Sequence, residues 1–591
     1  MLRLIARAFV ALTLVLGMVL GMSTAPAAAD TSGTITGTLK DANGNPVAGV
    51  CVWLGLVHLA TNCTLTDASG QYTITGLPLG LSWPITYHKP PIFNDLDMGN
   101  IPVLTTTPVS ASATLPTAPG QVLPGPTLSC LLPMAGTVTQ SIYLPNITKT
   151  FGGPSGFQTP FIVQNTGVTP ATFEVTFYKF SDGSCVTRRA SGSILPGASF
   201  ADVPNNDTDL PDNGQFSVVV RSFGSTAVSV VNQHKGTVEA DAYSGASTGA
   251  TTVYLPNVVR RFFGFHSPAI IQNLSQIPTT VTATYVSFDG SAPTKSFARN
   301  IGPGQSQFIE PNSDDPTVGA PGLVDGKQYA VTLSSGQPIS VVLNTHNDDA
   351  GVAAPYFYSA NGITAGAATV YGAYAVKNAN GNRSSSIVVQ NLGSAPVTPT
   401  LTFTPLGGGA TQTITSPTAI AAGTSWAFDP RFTVGTATAC SAASSTCLGN
   451  GEFSFVGSAP GGSIAAVINV IGPASAMGYS ASATPAAKYF LPNVLSNYGG
   501  WNTPVFLQGV SATSATLIWT PFTGGAPVSQ SVSLPAGGAL RIDPLTVPGL
   551  PAGLQYSVVV DAGTSTVAAI VMELNSSGQD NAMIYGGFPA P

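Results

Sequence analysis

One unit of about 110 to 120 residues occurs four times in succession, and a period that long confines the chain to tandem whole domains. Tyr143-Leu-Pro-Asn146 recurs as Tyr254-Leu-Pro-Asn257 and Phe490-Leu-Pro-Asn493, with a degenerate copy beginning at Tyr371. Further on, each copy has an apolar run ending in Gln164-Asn165, Gln272-Asn273, Gln390-Asn391 or, in the divergent last copy, Gln508-Gly509. A turn with Gly197, Gly304, Gly423 or Gly537 follows, then a hairpin-like pair of apolar runs, then a closing segment with Tyr243, Tyr358, Tyr479 or Tyr585. The copies span 141–249, 250–366, 367–485 and 486–591. Such repetition points to reach, spacing or multivalency rather than to four active sites.

Within a copy, runs such as Phe161 to Gln164, Thr172 to Tyr178, Phe216 to Arg221 and Ala227 to Asn232 are of strand length and rich in β-branched and aromatic residues. Gly, Pro and Asn separate them, and no segment sustains a helical period. The expected fold is all-β: about seven strands per copy, forming a β-sandwich of immunoglobulin-like size. Residues 118–140, with Leu123-Pro-Gly-Pro126, read as a semi-rigid linker before the first copy.

The amino terminus reads as a secretory leader over 1–29. Arg3 and Arg7 precede the apolar stretch Phe9 to Met22, and Ala27-Ala-Ala29 offers a cleavage site. The apolar stretch is shorter than a membrane span requires, so the mature chain is expected outside the cell, without membrane insertion, either released or held non-covalently at the surface. Leader style and composition suggest a bacterium, in which the Asn-x-Ser/Thr sequons at Asn146, Asn273 and Asn575 carry no glycan. Charged residues are 8% of the chain, well below the roughly 25% of ordinary soluble domains. Loss of the two leader arginines takes the net charge from −6 to −8, which disfavours nucleic acid and anionic membrane as partners.

Residues 30–117 differ from the repeats. An alternating run at Thr34 to Leu39 leads to the turn Asp41 to Pro46, the apolar strand Val50 to Leu54, Thr66-Asp-Ala-Ser-Gly-Gln-Tyr72 and Gly76-Leu-Pro-Leu-Gly80. Tight turns at Gly44 and Gly70 need positive φ, and Tyr72 and Ile74 alternate onto one face. This order resembles the carboxypeptidase regulatory-like domain, which implies a transthyretin-like β-sandwich acting as an accessory module without chemistry of its own. The four copies resemble repeat regions of secreted bacterial surface proteins.

Six cysteines in an exported chain suggest disulfides. Cys440 and Cys447 are near in sequence, Cys51 and Cys63 lie in neighbouring predicted strands, and by elimination Cys130 pairs with Cys185. No C-x-x-C spacing supports a metal site, and no cofactor is expected.

Three features could carry chemistry. His234 and His346 occupy one strand-end place in two copies, where Ile471 and Leu574 stand in the others; without a nucleophile elbow or paired carboxylates, packing is the expected role and the protein is not expected to be an enzyme. Acidic loops at Asn205 to Asp209 with Asp212, and at Asn312 to Asp315, suit either calcium or Asx turns, with Asp429 and Asp543 as single carboxylates later. An aromatic residue precedes the Gln-Asn strand as Phe157, Phe265 and Trp501, with Arg383 in the third copy. Flat rings there suit stacking on a sugar or packing between domains. The expectation is a non-catalytic exported surface, matrix or adhesion protein, a row of stiff modules presenting weak sites in series; the alternative is a binder of extracellular polysaccharide.

Overall fold

The computed structural model describes residues 32–590 except 41–44, 55–62, 79–80, 90–92, 104–108, 111–112, 115–135, 192, 237, 348–355, 524–525 and 576–579. The leader at 1–29, Gly44, Cys130 and most of the linker therefore lie outside the described residues. Among those described, every regular element is a β-strand except the single 3₁₀ turns Pro204–Asn206 and Pro544–Thr546. Among the described residues no helix is long and apolar enough to cross a membrane. The chain divides into two compact units, 1–123 and 124–591.

The first unit has two sheets. In one, Ser32–Lys40 pairs with Gln71–Pro78 and, in parallel, with Val109–Ser110 and Ala113–Thr114. The other runs in the order Thr64–Leu65, Cys51–Leu54, Leu81–Lys89, Phe93–Val103. Ile35, Leu39, Val50, Val52 and Ile85 are buried, and the Tyr72 and Tyr87 hydroxyls meet at 2.8 Å between the sheets. Gly70 has φ 73° and its amide closes the turn onto Asp67. Cys51 and Cys63 form a disulfide.

The second unit contains the four copies, each a sandwich built on two four-stranded sheets; in the fourth, the two-residue strands Phe588–Pro589 and Trp501–Asn502 add one strand to each. In the first copy one sheet has the order Ser199–Asp202, Phe161–Asn165, Ala227–Lys235, Glu239–Ser244. The other has the order Cys185–Ala190, Thr172–Lys179, Gly214–Phe223, Val138–Lys149. The remaining copies repeat this order, with Lys327–His346 running through both sheets of the second. Eight strands thus replace the seven expected. Outer strands alternate as one-sided sheets should: Val281, Ala283 and Tyr285 point inward from Thr279–Ser287, while Ser529, Ser531 and Ser533 face solvent from Val528–Leu534. The turn glycines Gly197, Gly304, Gly423 and Gly537 all have φ between 66° and 74°, a left-handed conformation that favours glycine.

The strands that end in Gln-Asn do not alternate. Phe161–Asn165, Ala269–Asn273 and Val505–Gly509 are buried at every residue. One face covers its own sandwich and the other covers a different copy. Ile162 packs into the core of the fourth copy, Ile270 into that of the first, and Phe506 into that of the third. Val388, at the same place in the third copy, packs on Ala360 and Phe288 of the second. The same position therefore enters the preceding copy at every junction, including the one between fourth and first. The copies do not form a row: they close into a ring with buried apolar contacts at every junction, because the second face of this strand is apolar and hydrophobic burial favours covering it.

Candidate functional site

The closing strands Glu239–Ser244, Phe357–Asn361, Ala476–Ser480 and Ala582–Gly586 stand side by side around the ring axis, each touching the next and the last touching the first. Their registers align Tyr243, Ala360, Tyr479 and Tyr585 opposite Val231, Leu343, Ile468 and Val571. Tyr358, which the sequence suggests as the closing tyrosine of the second copy, is thus two residues out of place, and Ala360 holds the position. The three true closing tyrosines link the two sheets of their copy. Tyr243 donates to the Asn146 carbonyl at 2.9 Å, Tyr479 to that of Tyr374 at 2.5 Å and Tyr585 to that of Asn493 at 2.6 Å.

Other recurrent residues hold the junctions. Ser217 Oγ donates to the Gly304 carbonyl of the next copy at 2.9 Å, Ser454 to Gly537 at 3.1 Å and, across the seam, Ser557 to Gly197 at 2.7 Å. Gln272 and Gln508 donate to carbonyls of the preceding copy, Val218 and Phe455, and also to their own turn glycines. The second-to-third junction departs: Ala330 stands where the serine would be, the Gln390 side-chain amide finds no hydrogen-bond partner among the described residues, and Ser425 donates to the Pro256 carbonyl instead. Asn165, Asn273 and Asn391 act within their own copies, Asn165 and Asn391 each donating to two carbonyls and Asn273 to three.

On the axis sits Asp241. Its carboxylate accepts backbone N–H groups from Ser359, Gly478 and Ile584, which in the other three copies stand at the place of Ala242. Burial, reinforced by nearby Asp580, pushes this carboxyl well above its ordinary range, while the N–H donors pull it down. Asp580 bridges the N–H groups of Phe357 and Ala476, both at 2.7 Å, and burial pushes it up to about 8. Glu573 of the fourth copy accepts from Asn493 at 2.8 Å and from Asn232 of the first at 3.0 Å; burial pushes it up to about 8. The first copy has Gln233 at that register position, bonded to Asn146, Asn344 and Ser359.

Four hairpins surround the end of the axis where the closing strands begin. Each starts with a left-handed residue, Thr150, Arg261, Asn378 or Asn497, at φ 48° to 50°. Phe157 lies on one leg, half-buried against Phe357 of the second copy at 5.2 Å between centroids, with the Lys235 ammonium 5.5 Å from its ring. Phe265 packs on Tyr358 at 5.8 Å, and Trp501 lies half-buried against the fourth core. Arg383 bonds Ser475 at 3.0 Å. The rings facing water are others: Phe151, Phe263 and Tyr498 at the hairpin tips, 40%, 86% and 48% exposed. An aromatic-Gly pair, Phe151-Gly152, Phe263-Gly264 and Tyr498-Gly499, with Asn380-Gly381 in the third copy, is the sequence signal for these tips.

His234 and His346 hold equivalent places opposite Ala240 and Phe357. Burial lowers His234, and His346 stacks on His266 at 4.4 Å. The acidic loops take their cation from the chain itself. Lys149 donates to the carbonyls of Asp207 and Leu210 and pairs with Asp212; Arg260 pairs with Asp314 and Asp325; Lys377 reaches the Cys440 and Leu448 carbonyls. Asp207, Asp315, Asp429 and Asp543 each accept the backbone N–H two residues on, as Asx turns do. Among the described residues no cluster of His, Cys, Asp and Glu is arranged to hold a metal. Cys440 and Cys447 form a disulfide, and Cys185 is disulfide-bonded, its expected partner Cys130 lying outside the described residues. The sequon residues Asn146 and Asn273 are buried and bonded.

No family model and no curated protein matches this chain. Solved structures aligned to it include the major pilin subunit BcpA of Bacillus cereus, 9% identical over 75% of this chain and 89% of that one, with a TM-score of 0.11. A tetra-tandem repeat from the extending region of a large adhesion protein is 13% identical over 73% and 95%, at 0.10. A family 32 glycoside hydrolase from Bifidobacterium adolescentis is 9% identical over 76% and 96%, at 0.12. These scores define no common fold and bear on no function.

Proposed function

We propose that this is an exported, non-catalytic recognition protein of the cell surface or extracellular matrix, whose repeats form a rigid ring presenting four hairpins on one end. One observation carries this reading: residues that recur between copies lock the ring, whereas the exposed tip aromatics Phe151, Phe263 and Tyr498 stand at its surface. Hairpins fixed on a closed core lose little freedom on binding, and several weak contacts presented together gain avidity. In this reading the first unit is an accessory module of the carboxypeptidase regulatory-like type, supported by its two small sheets and the Tyr72–Tyr87 contact.

The test is co-sedimentation of the leader-free chain with envelopes and matrix of the cells that express it. Binding should fall at least about tenfold in a Phe151→Ala/Phe263→Ala/Tyr498→Ala variant with an unchanged melting temperature. Absence of wild-type binding overturns the reading. Polysaccharide as the partner is a second reading, favoured by Phe263, whose 86% exposed ring offers a stacking face.

A further inference from the structure

The closing strands end around a recess of ≈ 500 Å³ on the ring axis, at the opposite end of those strands from the hairpins. That volume lies within the roughly 300–1,000 Å³ of small-molecule sites. Its lining includes residues from all four copies, and none of the lining residues is charged.

Hydrogen bonding at the rim is specific. Asn361 donates to the Ser244 carbonyl at 2.6 Å and accepts the Ser244 N–H at 2.9 Å. Ser480 donates to the Asn361 carbonyl at 3.2 Å, and Ser244 Oγ to the Gly586 carbonyl at 3.4 Å. The hydroxyl protons of Ser244 and Ser480 are thereby committed inward, while each oxygen keeps acceptor capacity. At the rim position of Ser244, Asn361 and Ser480 the fourth copy has Gly586, which brings no side chain, and a Cβ added to it would meet open space. The half-exposed Tyr371 adds a ring to the wall.

A site rich in acceptors, lacking charge and bearing an aromatic wall suits an uncharged ligand that donates many hydrogen bonds. A phosphate or carboxylate would find no cation there. We propose that this axial recess binds the neutral, hydroxyl-rich end of a saccharide, with the ligand completing the hydrogen-bonded rim at Gly586. The inference rests on the reading of the ring as a recognition head, but it uses the opposite face and needs none of the hairpin aromatics.

The experiment is calorimetric titration of the full leader-free chain with neutral gluco-, manno- and galacto-oligosaccharides. Alginate oligomers and spermine serve as charged arms. Saturable binding of a neutral oligosaccharide is expected, weakened at least about tenfold by Gly586→Leu, which fills the recess. The hairpin triple variant should bind it as the wild type does. Failure of every neutral oligosaccharide, preference for a charged arm, or full binding by Gly586→Leu overturns the proposal. Should Gly586→Leu lower the melting temperature, Tyr371→Ala decides, because its loss of an exposed wall must also weaken binding. Envelope binding lost only in the hairpin variant would leave the surface reading standing while the recess fails.

Discussion

Glu573 shows how a polar side chain at a repeat junction governs stability. It is buried, its oxygens face two asparagine amides, and it titrates near 8 where an exposed carboxyl titrates near 4.5. The folded chain holds this proton over a range in which the unfolded chain has released it. Stability from this group is fully present below about 4.5 and is lost as pH rises through about 8, by an amount on the order of a few kcal/mol. Asp580 adds to the same slope. Glu573→Gln installs the residue that the first copy uses at this position, Gln233, and the Asn232 amide can turn its unpaired oxygen toward the new donor. Melting temperatures at pH 5 and pH 8.5 should show the variant close to wild type at the lower pH and more stable than it at the higher. Equal values at both pH values would mean that Glu573 is not the titrating group.

At the scale of elements, the strand that ends in Gln-Asn separates what was legible from what was not. Its length, β-branched composition and following glycine turn identify the strand and the sandwich. Burial of its second face against another copy was hidden, because an apolar strand covered by its own partner sheet has the same composition as one covered on both sides. Gln272, Ser217 and Ser557 also read as ordinary strand polar residues, and only the fold shows them reaching across junctions. The closing tyrosine of the second copy was misplaced because Tyr356-Phe-Tyr358 offers tyrosines near the expected spacing while Ala360 leaves no mark. The acidic loops were half legible: the Asx turns follow from local sequence, whereas Lys149 and Arg260, distant in the chain, become their cations only on folding. The one junction without a serine gives a direct test. Ala330→Ser should add the missing bond to the Gly423 carbonyl and raise stability by about 0.5 to 1.5 kcal/mol in denaturant titration. A loss of stability would show that the second-to-third junction is built differently.

For the whole molecule, ring closure makes a claim about cooperativity that a string of domains does not. Neighbouring domains joined only by linkers unfold nearly independently, whereas copies sharing buried side chains at every junction lose those contacts together. Ile162, Ile270 and Phe506 each sit in another copy's core, Val388 packs on Ala360 of the second copy, and Asp241 draws N–H groups from three other copies to one point. Residues 124–591 should therefore melt in one calorimetric transition, apart from any due to the first unit. Asp241→Asn should lower that whole transition. One of its two acceptor oxygens becomes an NH₂ pointed at N–H donors, and each donor left unsatisfied costs about 1 to 3 kcal/mol. The first copy supplies the mutated residue, so in a string only a first-copy transition would move. Separate transitions for the four copies, or a shift confined to one of them, would contradict the closed ring and with it the rigid presentation on which both proposed binding ends depend.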